Sequence, residues 1–260
     1  MLSIPFTSGR MFVMHVLLLA GTAEARALAD RLADHPRIRV TASLAGRVAR
    51  PAELPVATRQ GGFGGAPGLA DWIRRHEVGA VVDATHPFAA GISANAAAAA
   101  ATVGVPLARL ERPAWEPGPG DHWIPVPDLA AAAAALEPLG DRVLVTTGRN
   151  ELAPFEAVPD KAYLIRTIDP PEPPPDLPRA AYLQARGPYD ADSEAALMAE
   201  HDIQVLVTKA SGGEATRGKL EAARRRGIPV VMVRRPAPPA GIHWHGGDPQ
   251  ALVAWLEARA

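Results

Sequence analysis

The chain has 260 residues, of which 48% are hydrophobic and 21% are charged, and this composition is that of a globular protein rather than a disordered one. Its formal net charge of −1 argues against a general binder of nucleic acid or of membrane surfaces. It contains no cysteine, which excludes disulfides, thiolate zinc sites and a cysteine nucleophile and fits a cytoplasmic protein.

The N-terminal residues lead into the first strand without a cleavage signal. Arg10 precedes an apolar run over 13–20, which faintly resembles a signal peptide. That run continues directly into a glycine turn, and the other apolar runs are strand-length or alanine-rich rather than membrane-spanning. We therefore interpret residues 1–13 as a disordered extension or an upstream mis-assigned start.

Residues 16–26 are the stretch around which the first half is organised. A short apolar run ends at Gly21, and an amphipathic helix is predicted over 22–34. The start of such a helix offers free N–H groups to a phosphate, and Thr22 could add a hydroxyl donor, although Glu24 opposes an anion. The alternative is an ordinary strand–helix turn that Thr22 caps.

The second predicted strand, over 39–44, ends where a dinucleotide fold usually contacts the adenosine ribose. Ser43 stands there instead of an acidic residue, and Arg47 follows. Because an arginine can bind a 2′-phosphate, this pattern favours NADP over NAD. The alternative for Arg47 is a solvated loop residue.

The glycine-rich loop over 61–65 is the next candidate cofactor contact. Gly62 and Gly64 flank Phe63, and such backbone can approach a ligand closely. A flexible loop is the alternative, but we expect Phe63 to stack on a partner. A short helix around 69–73 follows the loop.

A buried strand is predicted over 78–84, and it ends in Asp83, Thr85 and His86. The carboxyl end of a parallel strand is where such sheets bind ligands. Pro87 holds His86 in an extended loop. The alternative is that Asp83 and Thr85 only cap the next helix, predicted over 91–102.

Periodicity breaks after a strand at 105–110. The proline- and glycine-rich residues 111–120 indicate a crossover between domains, and a strand at 122–126 and a helix at 128–137 could belong to either side. The predicted organisation is an N-terminal NADPH-binding lobe over 14–111, a crossover segment over 112–140 and a C-terminal substrate-binding lobe over 141–260.

The second lobe repeats the strand–helix alternation. Strands are predicted over 142–146, 162–168, 181–185, 203–208 and 229–233, the last of the sheet; helices are predicted over 192–201, 214–226 and from Pro249 onward. His243 and His245 could pair on a metal, but without a third ligand we interpret them as surface or edge-strand residues, and we predict no metal site.

Cations and glycines accumulate at the strand ends of this second lobe. Arg149, Arg166, Arg186 and Lys209 lie there, with glycine nests at 148 and 212–213. Guanidinium, ammonium and backbone N–H groups bind carboxylates. These strand ends are therefore expected to offer nests of phosphate or carboxylate size.

Nine short motifs occur in order and together resemble the precorrin-6A reductase family of cobalamin biosynthesis. The resemblance covers about residues 14–236, with mild departures at Gly21, where many relatives carry two glycines, and at Ala210, where an acidic residue is common. The motifs are G-T-A-E-A-R (21–26), S-L-A-G-R (43–47), G-G-F-G-G (61–65), D-A-T-H-P-F-A (83–89), R-P-A-W (112–115), T-T-G-R-N (146–150), G-P-Y (187–189), V-T-K-A-S-G-G (207–213) and R-R-P (234–236).

The resemblance implies an α/β fold of two Rossmann-like lobes with parallel sheets and allows for a strand exchanged between them. It implies NADPH-dependent reduction of one double bond of the precorrin-6A macrocycle to give precorrin-6B. The implied partner is a tetrapyrrole with many carboxylates in the cytoplasm, with direct transfer to neighbouring pathway enzymes as a further option and neither nucleic acid nor membrane as a partner.

The motifs also assign the candidate site residues. His86 is the candidate proton donor, with Asp83 to orient it; a ring nitrogen of the macrocycle or a water is the alternative donor. Cofactor contacts are expected from Gly21, Thr22, Ser43, Arg47, Gly62, Phe63, Gly64 and Thr85. Substrate contacts are expected from Arg112, Thr147, Gly148, Arg149, Arg166, Gln184, Gly187, Tyr189, Lys209, Ser211, Gly212 and Gly213.

Two other functions stay open at this point: a non-catalytic NADP(H)-binding sensor and an oxidoreductase of another small substrate. A short-chain dehydrogenase is disfavoured, because none of Tyr163, Tyr182 and Tyr189 has a lysine four positions later. A sensor would not need a second lobe lined with cations.

Overall fold

The computed structural model describes residues 13–45 and 53–260. The predictions for residues 1–12 and for Arg47 therefore lie outside the described residues. Val13 is exposed and precedes the first strand.

Two compact units divide the chain, and their boundaries differ from the predicted ones. The first unit combines Met1–Arg112 with Ala237–Ala260, and the second is Pro113–Pro236. The C-terminal segment thus belongs to the first unit rather than the second, and residues 113–140 are part of the second unit rather than a separate crossover. Strand pairing decides both assignments, because each segment adds an edge strand to its sheet.

The first unit is a six-stranded parallel sheet in the order β12-β5-β4-β1-β2-β3. Helices cover both faces, as a parallel sheet requires: α1 and α7 pack on one face, and α2 and α3 pack on the other. The strands are β1 (Met14–Leu19), β2 (Ile38–Leu44), β3 (Ala57–Gln60), β4 (Val78–Asp83), β5 (Leu107–Leu110) and β12 (Trp244–Gly246); the helices are α1 (Ala23–Leu32), α2 (Gly65–Arg75), α3 (Ala90–Val103) and α7 (Pro249–Glu257).

The second unit repeats this architecture with the order β6-β11-β10-β7-β8-β9, again all parallel. Its core contains Met198 of α5 and Leu220 of α6, which pack on one face of the sheet. The strands are β6 (Trp123–Val126), β7 (Arg142–Val145), β8 (Ala162–Thr167), β9 (Ala180–Gln184), β10 (Val205–Lys209) and β11 (Val230–Val233); the α-helices are α4 (Leu129–Ala135), α5 (Ala191–Glu200) and α6 (Gly218–Arg225), with 3-10 turns at Ala153–Ala157 and Glu214–Thr216.

The sixth strand of each sheet comes from outside its run of five. After β5 the chain contributes β6 to the second sheet, where Trp123 pairs with Val230, and after β11 it contributes β12 to the first, where Trp244 pairs with Ala108. The topology therefore contains the strand exchange that the family resemblance allowed for. The predicted fold class, two parallel-sheet Rossmann-like lobes, is confirmed.

The main differences from the prediction are two strands that were not predicted and the bounds of two helices. The four-residue edge strand β3 is polar and mostly exposed, and β12 has only three residues, so neither has the alternation that marks a strand. The strand at 230–233 is consequently not the last. The helix around 69–73 runs for 11 residues, and the helix predicted over 214–226 is a 3-10 turn followed by α6.

Among the helices in the described ranges, none combines the length and apolar character that a bilayer crossing requires.

Candidate functional site

The turn after β1 is open at the position expected for a phosphate. Gly21 has φ +133°, which favours glycine, and no atom lies within 4 Å of where a β-carbon would stand. The backbone on either side is held, since Ala20 N–H donates to Ser43 O (3.0 Å) and Ala84 N–H donates to Leu19 O (2.9 Å). A ligand can therefore approach the start of α1 closely at Gly21.

Thr22 is the N-cap of α1. Its hydroxyl oxygen accepts the N–H of Ala25 (3.1 Å), and its hydroxyl hydrogen goes to the carbonyl of Ala84 (2.8 Å). Since the hydrogen is already donated, the expectation that Thr22 offers it to a phosphate is corrected in favour of the capping alternative. Thr22 also ties the end of β1 to the end of β4.

Arg112 was expected to contact substrate, but it pairs within the first unit. Its Nη1 lies 3.0 Å from Oε2 of Glu24, in the first turn of α1, and both side chains are about four-fifths buried. The ion pair compensates the carboxylate that would otherwise repel an anion at this helix start. Arg112 therefore neutralises a carboxylate at the helix start where a phosphate was predicted to bind.

The end of β2 brings in a residue that sequence reasoning missed. Arg59 of β3 donates from Nη1 to the Ser43 hydroxyl (2.7 Å) and from Nη2 to Gly62 O (3.0 Å). Its guanidinium lies 3.9 Å from the ring centre of Phe63, which supplies the stacking partner expected for that ring. Partial burial lowers the pKa of Arg59. The available signal was an arginine two positions before the glycine-rich loop.

Phe63 also anchors the glycine-rich loop to the unit's core. Its ring meets the Trp72 ring edge-on at 5.9 Å. Gly68 of α2 passes so close to the Phe63 carbonyl that a β-carbon there would stand 1.8 Å from it. Gly62 and Gly64 on either side are exposed, with open space where side chains would be. The packing of Phe63 thus fixes the middle of the loop, while the glycines on either side of it are accessible.

Asp83 is buried at the end of β4 and closes the loop that carries His86. Its Oδ1 accepts the N–H (3.1 Å) and the hydroxyl (2.6 Å) of Thr85, and its Oδ2 receives Nη1 of Arg109 at 2.7 Å. Both oxygens are therefore engaged by groups other than the histidine. The capping alternative is wrong, because the N-cap of α3 is Ala89.

Arg109 of β5 joins two carboxylates in one buried network, which no sequence motif indicated. Its Nε donates to Glu111 (2.7 Å), and its Nη1 also donates to the hydroxyl of Ser93 on α3 (2.8 Å). Glu111 in turn contacts Nε2 of His245 at 3.3 Å. His245 accordingly lies on the edge strand β12, as expected, and connects that strand to the Asp83 loop.

His86 is exposed beyond Asp83, as predicted. The N–H of Phe88 points at its Nδ1 from 3.3 Å, and its carbonyl accepts the N–H of Ala89 (2.7 Å). In a neutral imidazole, an Nδ1 that accepts this hydrogen bond would place the ring hydrogen on Nε2. The role of His86 as proton donor stays a prediction.

In the second unit, the end of β7 offers polar groups next to a glycine turn. Gly148 has φ +99°, and Arg149 is a little over one-third exposed, with Nη1 3.6 Å from Asp169. Thr147 is buried, and within the described part of the chain its hydroxyl has no hydrogen-bond partner. These groups lie where the nest was predicted, and its ligand stays a prediction.

Arg166 differs from its predicted role as a substrate cation. It is buried on β8, and both nitrogens of its fork engage the carboxylate of Glu194 on α5, one of them at 3.1 Å. Its guanidinium also lies 3.9 Å from the ring centre of Tyr189. Arg166 therefore supports the loop after β9, where Gln184 and Gly187 are exposed.

Lys209 lies at the end of β10, close to the loop over 211–213. Its Nζ pairs with Glu151, and burial lowers the pKa of Lys209 to about 8. Arg235 fastens the loop by donating to Ala210 O (2.7 Å) and Ser211 O (3.0 Å). The predicted cation therefore stands beside a rigid backbone turn.

Gly212 and Gly213 shape that turn. Gly212 has φ +70°, and a β-carbon there would stand 2.2 Å from the carbonyl of Pro113, so only glycine fits. Gly213 O accepts the indole N–H of Trp115 (3.0 Å). The predicted glycine nest is in part a packing requirement.

Comparisons with known proteins agree on one family. Residues 15–257 match the family model described as precorrin-6x reductase CbiJ/CobK. The chain is similar to precorrin-6A reductase of Rhodococcus erythropolis, with 54% identity over 93% of this chain and 96% of that protein, and to precorrin-6A reductase of Sinorhizobium sp, with 48% identity over 96% and 97%. It is also similar to the solved structure of CobK precorrin-6A reductase, with TM-score 0.87 and 43% identity over 95% of this chain and 98% of that chain.

Proposed function

The chain belongs to the precorrin-6x reductase family CbiJ/CobK, and from this premise we propose that it reduces one double bond of precorrin-6A with NADPH to give precorrin-6B. The observation in the structure that carries the proposal is the turn at Gly21, which leaves open space at the start of α1. A helix start of this kind accepts a dinucleotide phosphate. The ion pair between Arg112 and Glu24 compensates the one carboxylate in its first turn.

The first unit has the groups to hold NADPH, which supplies a hydride when it is bound. Gly21 leaves room for the phosphates, and Ser43 is held by Arg59 where the ribose is expected. Arg59 and Arg47 are the two candidates for the 2′-phosphate, since a guanidinium binds it in a bidentate way. The exposed flanks of the loop at Gly62 and Gly64 leave its backbone accessible to the nucleotide.

The second unit has the groups to hold a carboxylated macrocycle. Arg149 is a partly exposed cation and Lys209 a largely buried one, and both lie at or just beyond strand ends. The Thr147 hydroxyl, which no group in the described ranges bonds, and the backbone turns at Gly148 and Gly213 add hydrogen-bonding groups. Bound arms would orient the macrocycle, which is the main contribution a protein makes to a hydride transfer.

His86 and Asp83 have separate roles in this proposal. Asp83 holds the loop through Thr85 and Arg109 and does not touch the reacting atoms. His86 positions a ligand through Nε2, and the proton that follows the hydride comes from the macrocycle's own nitrogens or from water. The site of action is the cytoplasm, with the product passed to neighbouring enzymes of the pathway.

The test is to mix the purified chain with NADPH and precorrin-6A and to follow the absorbance of both. Oxidation of one NADPH for each macrocycle reduced, with NADH much less effective, is the expected result. Binding of NADPH without oxidation would make the protein a sensor. Oxidation only with small carbonyl compounds would make it another kind of reductase.

A further inference from the structure

Lys219 is a buried ammonium that neither the sequence motifs nor the proposed site uses. It stands in the first turn of α6, and only 5% of its surface is exposed. Among the described residues no hydrogen bond or ion pair reaches its Nζ, which lies 5.3 Å from the ring centre of Trp115. A buried charge without a partner is costly, so a ligand that brings an anion beside Lys219 would be stabilised there.

The groups around Lys219 leave an excess of positive charge. The charged groups that face it are Arg166 on β8 and Glu194 on α5. Glu194 is already engaged on both oxygens by Arg166. Two cations therefore share one carboxylate in a buried cluster, and a second anion would balance it.

Two of the predicted substrate loops border this cluster. Tyr189 stacks on Arg166, and its carbonyl lies against the start of α6, where a β-carbon on Gly218 would stand 2.4 Å from it. Trp115 covers the ammonium and donates its indole N–H to Gly213 O at 3.0 Å. A group that occupies the loops over 187–189 and 211–213 is thus next to Lys219.

We propose that Lys219 is the charge partner of one substrate carboxylate, which enters as a flexible acetate or propionate arm beside Trp115 and Tyr189. This rests on the proposed function, since it takes the carboxylated macrocycle as the ligand. A flexible side arm of the macrocycle fits this geometry, because Lys219 is too deeply buried for the macrocyclic ring to reach its ammonium group.

A measurable consequence is uptake of a proton when the ligand binds. Burial, and then the charge of Arg166, lower the pKa of Lys219 to about 7, with Glu194 acting in the opposite direction. A bound carboxylate favours the ammonium and raises that pKa again. Binding therefore takes up roughly half a proton at pH 7 and close to one at about pH 8.

The experiment is calorimetric titration of precorrin-6A into the full-length protein with NADP⁺ present, in two buffers of different ionisation enthalpy. At pH 7, where Lys209 with its pKa of about 8 is mostly charged already, we expect wild-type protein to take up roughly half a proton. Lys219→Met should show no uptake and bind at least about tenfold more weakly. Lys219→Arg should bind without uptake, because an arginine is already charged.

Lys161 provides the matched control. It is a buried lysine of the same unit, but its Nζ donates to Leu139 O at 2.8 Å. Lys161→Met should keep both the proton uptake and the affinity.

Three results would overturn the site: wild-type binding without uptake, equal uptake by Lys219→Arg, or wild-type affinity in a folded Lys219→Met. If Lys219→Met does not fold, the comparison of wild type with Lys219→Arg decides alone. NADPH oxidation by the wild type is measured in parallel. A wild type that reduces precorrin-6A without proton uptake on binding refutes this site and leaves the proposed function intact.

Discussion

Arg109 and Asp83 form a buried ion pair, with Nη1 2.7 Å from Oδ2 and both side chains at least 95% buried. The pair joins the ends of the adjacent strands β5 and β4, and Asp83 then holds the backbone of Thr85. The loop that presents His86 therefore depends on the Asp83 carboxylate, which would be costly to bury without its partner Arg109.

Removing one partner of this pair should strongly destabilise the protein. We expect Arg109→Met to cost about 3–5 kcal/mol in the free energy of unfolding, since it strands Asp83. Urea denaturation measures the change, and Arg74→Ala, which breaks an exposed pair with Asp71, should cost about 1 kcal/mol or less. A cost for Arg109→Met that matches Arg74→Ala would show that the pair does not hold the loop.

Arg59 should contribute to the choice of cofactor. Arg59→Ala is expected to weaken NADPH binding about tenfold or more and NADH binding less, because a charge-assisted bond to the 2′-phosphate is worth about 1.5–3 kcal/mol. The same comparison for Arg47→Ala tests the residue that the sequence indicated. Equal losses of NADPH and NADH affinity in a variant would assign that arginine a structural role.

Arg149 should act on substrate affinity alone. Its guanidinium is accessible and only loosely paired with Asp169. Arg149→Ala is therefore expected to raise the KM for precorrin-6A severalfold with little change in kcat, as the loss of uniform binding does. Fluorescence titration should show unchanged NADPH affinity, and a parallel loss of cofactor binding would place the cofactor in the second unit.

His86→Ala should slow the chemical step by about tenfold or less. In the proposed function His86 positions a ligand and does not donate the proton, whereas a general acid is worth about 10²–10⁴-fold. Single-turnover NADPH oxidation at saturating precorrin-6A measures the step. A hundredfold loss with intact NADPH binding, together with loss of the solvent isotope effect, would restore His86 as the proton donor.

Lys219 should make stability depend on pH. Its pKa is about 7 in the folded protein and near 10.5 in the unfolded chain, so between these values the unfolded state binds more protons. The stability of ligand-free wild type should rise with pH across this window by up to about 1.4 kcal/mol for each unit. Relative to wild type, Lys219→Met should be more stable near pH 6 and should lose that advantage towards pH 10 in urea titrations.

The features that could be predicted from the sequence are those that neighbouring residues determine. The glycine turn at Gly21 and the exposed loop at His86 are encoded within a few neighbouring residues, so pattern and position sufficed. Arg166 looked like a free cation because its partner Glu194 lies 28 residues later on a helix, and only the fold brings the two together. Arg109 was missed for the same reason, since an arginine inside a strand gives no sign that carboxylates surround it.

Two short edge strands, β3 and β12, were also not predicted from the sequence. Neither β3 nor β12 is long enough for an alternating pattern, and their pairing depends on the neighbouring strand rather than on their own residues. The domain boundary at 237 followed from β12 and was therefore unpredictable without it.

The exchanged strand gives the first unit an assembly order during synthesis. Glu111 and His245, which meet beside β5 and β12, are 134 residues apart in the chain, and the entire second unit is translated between them. The first five strands of the first sheet leave the ribosome early. The edge of that sheet at β5 stays unpaired until β12 has been synthesised. The second unit, in contrast, has all six strands by residue 233. The nascent first unit is thus exposed to edge-to-edge association throughout the translation of the second, and its completion is a late, long-range step.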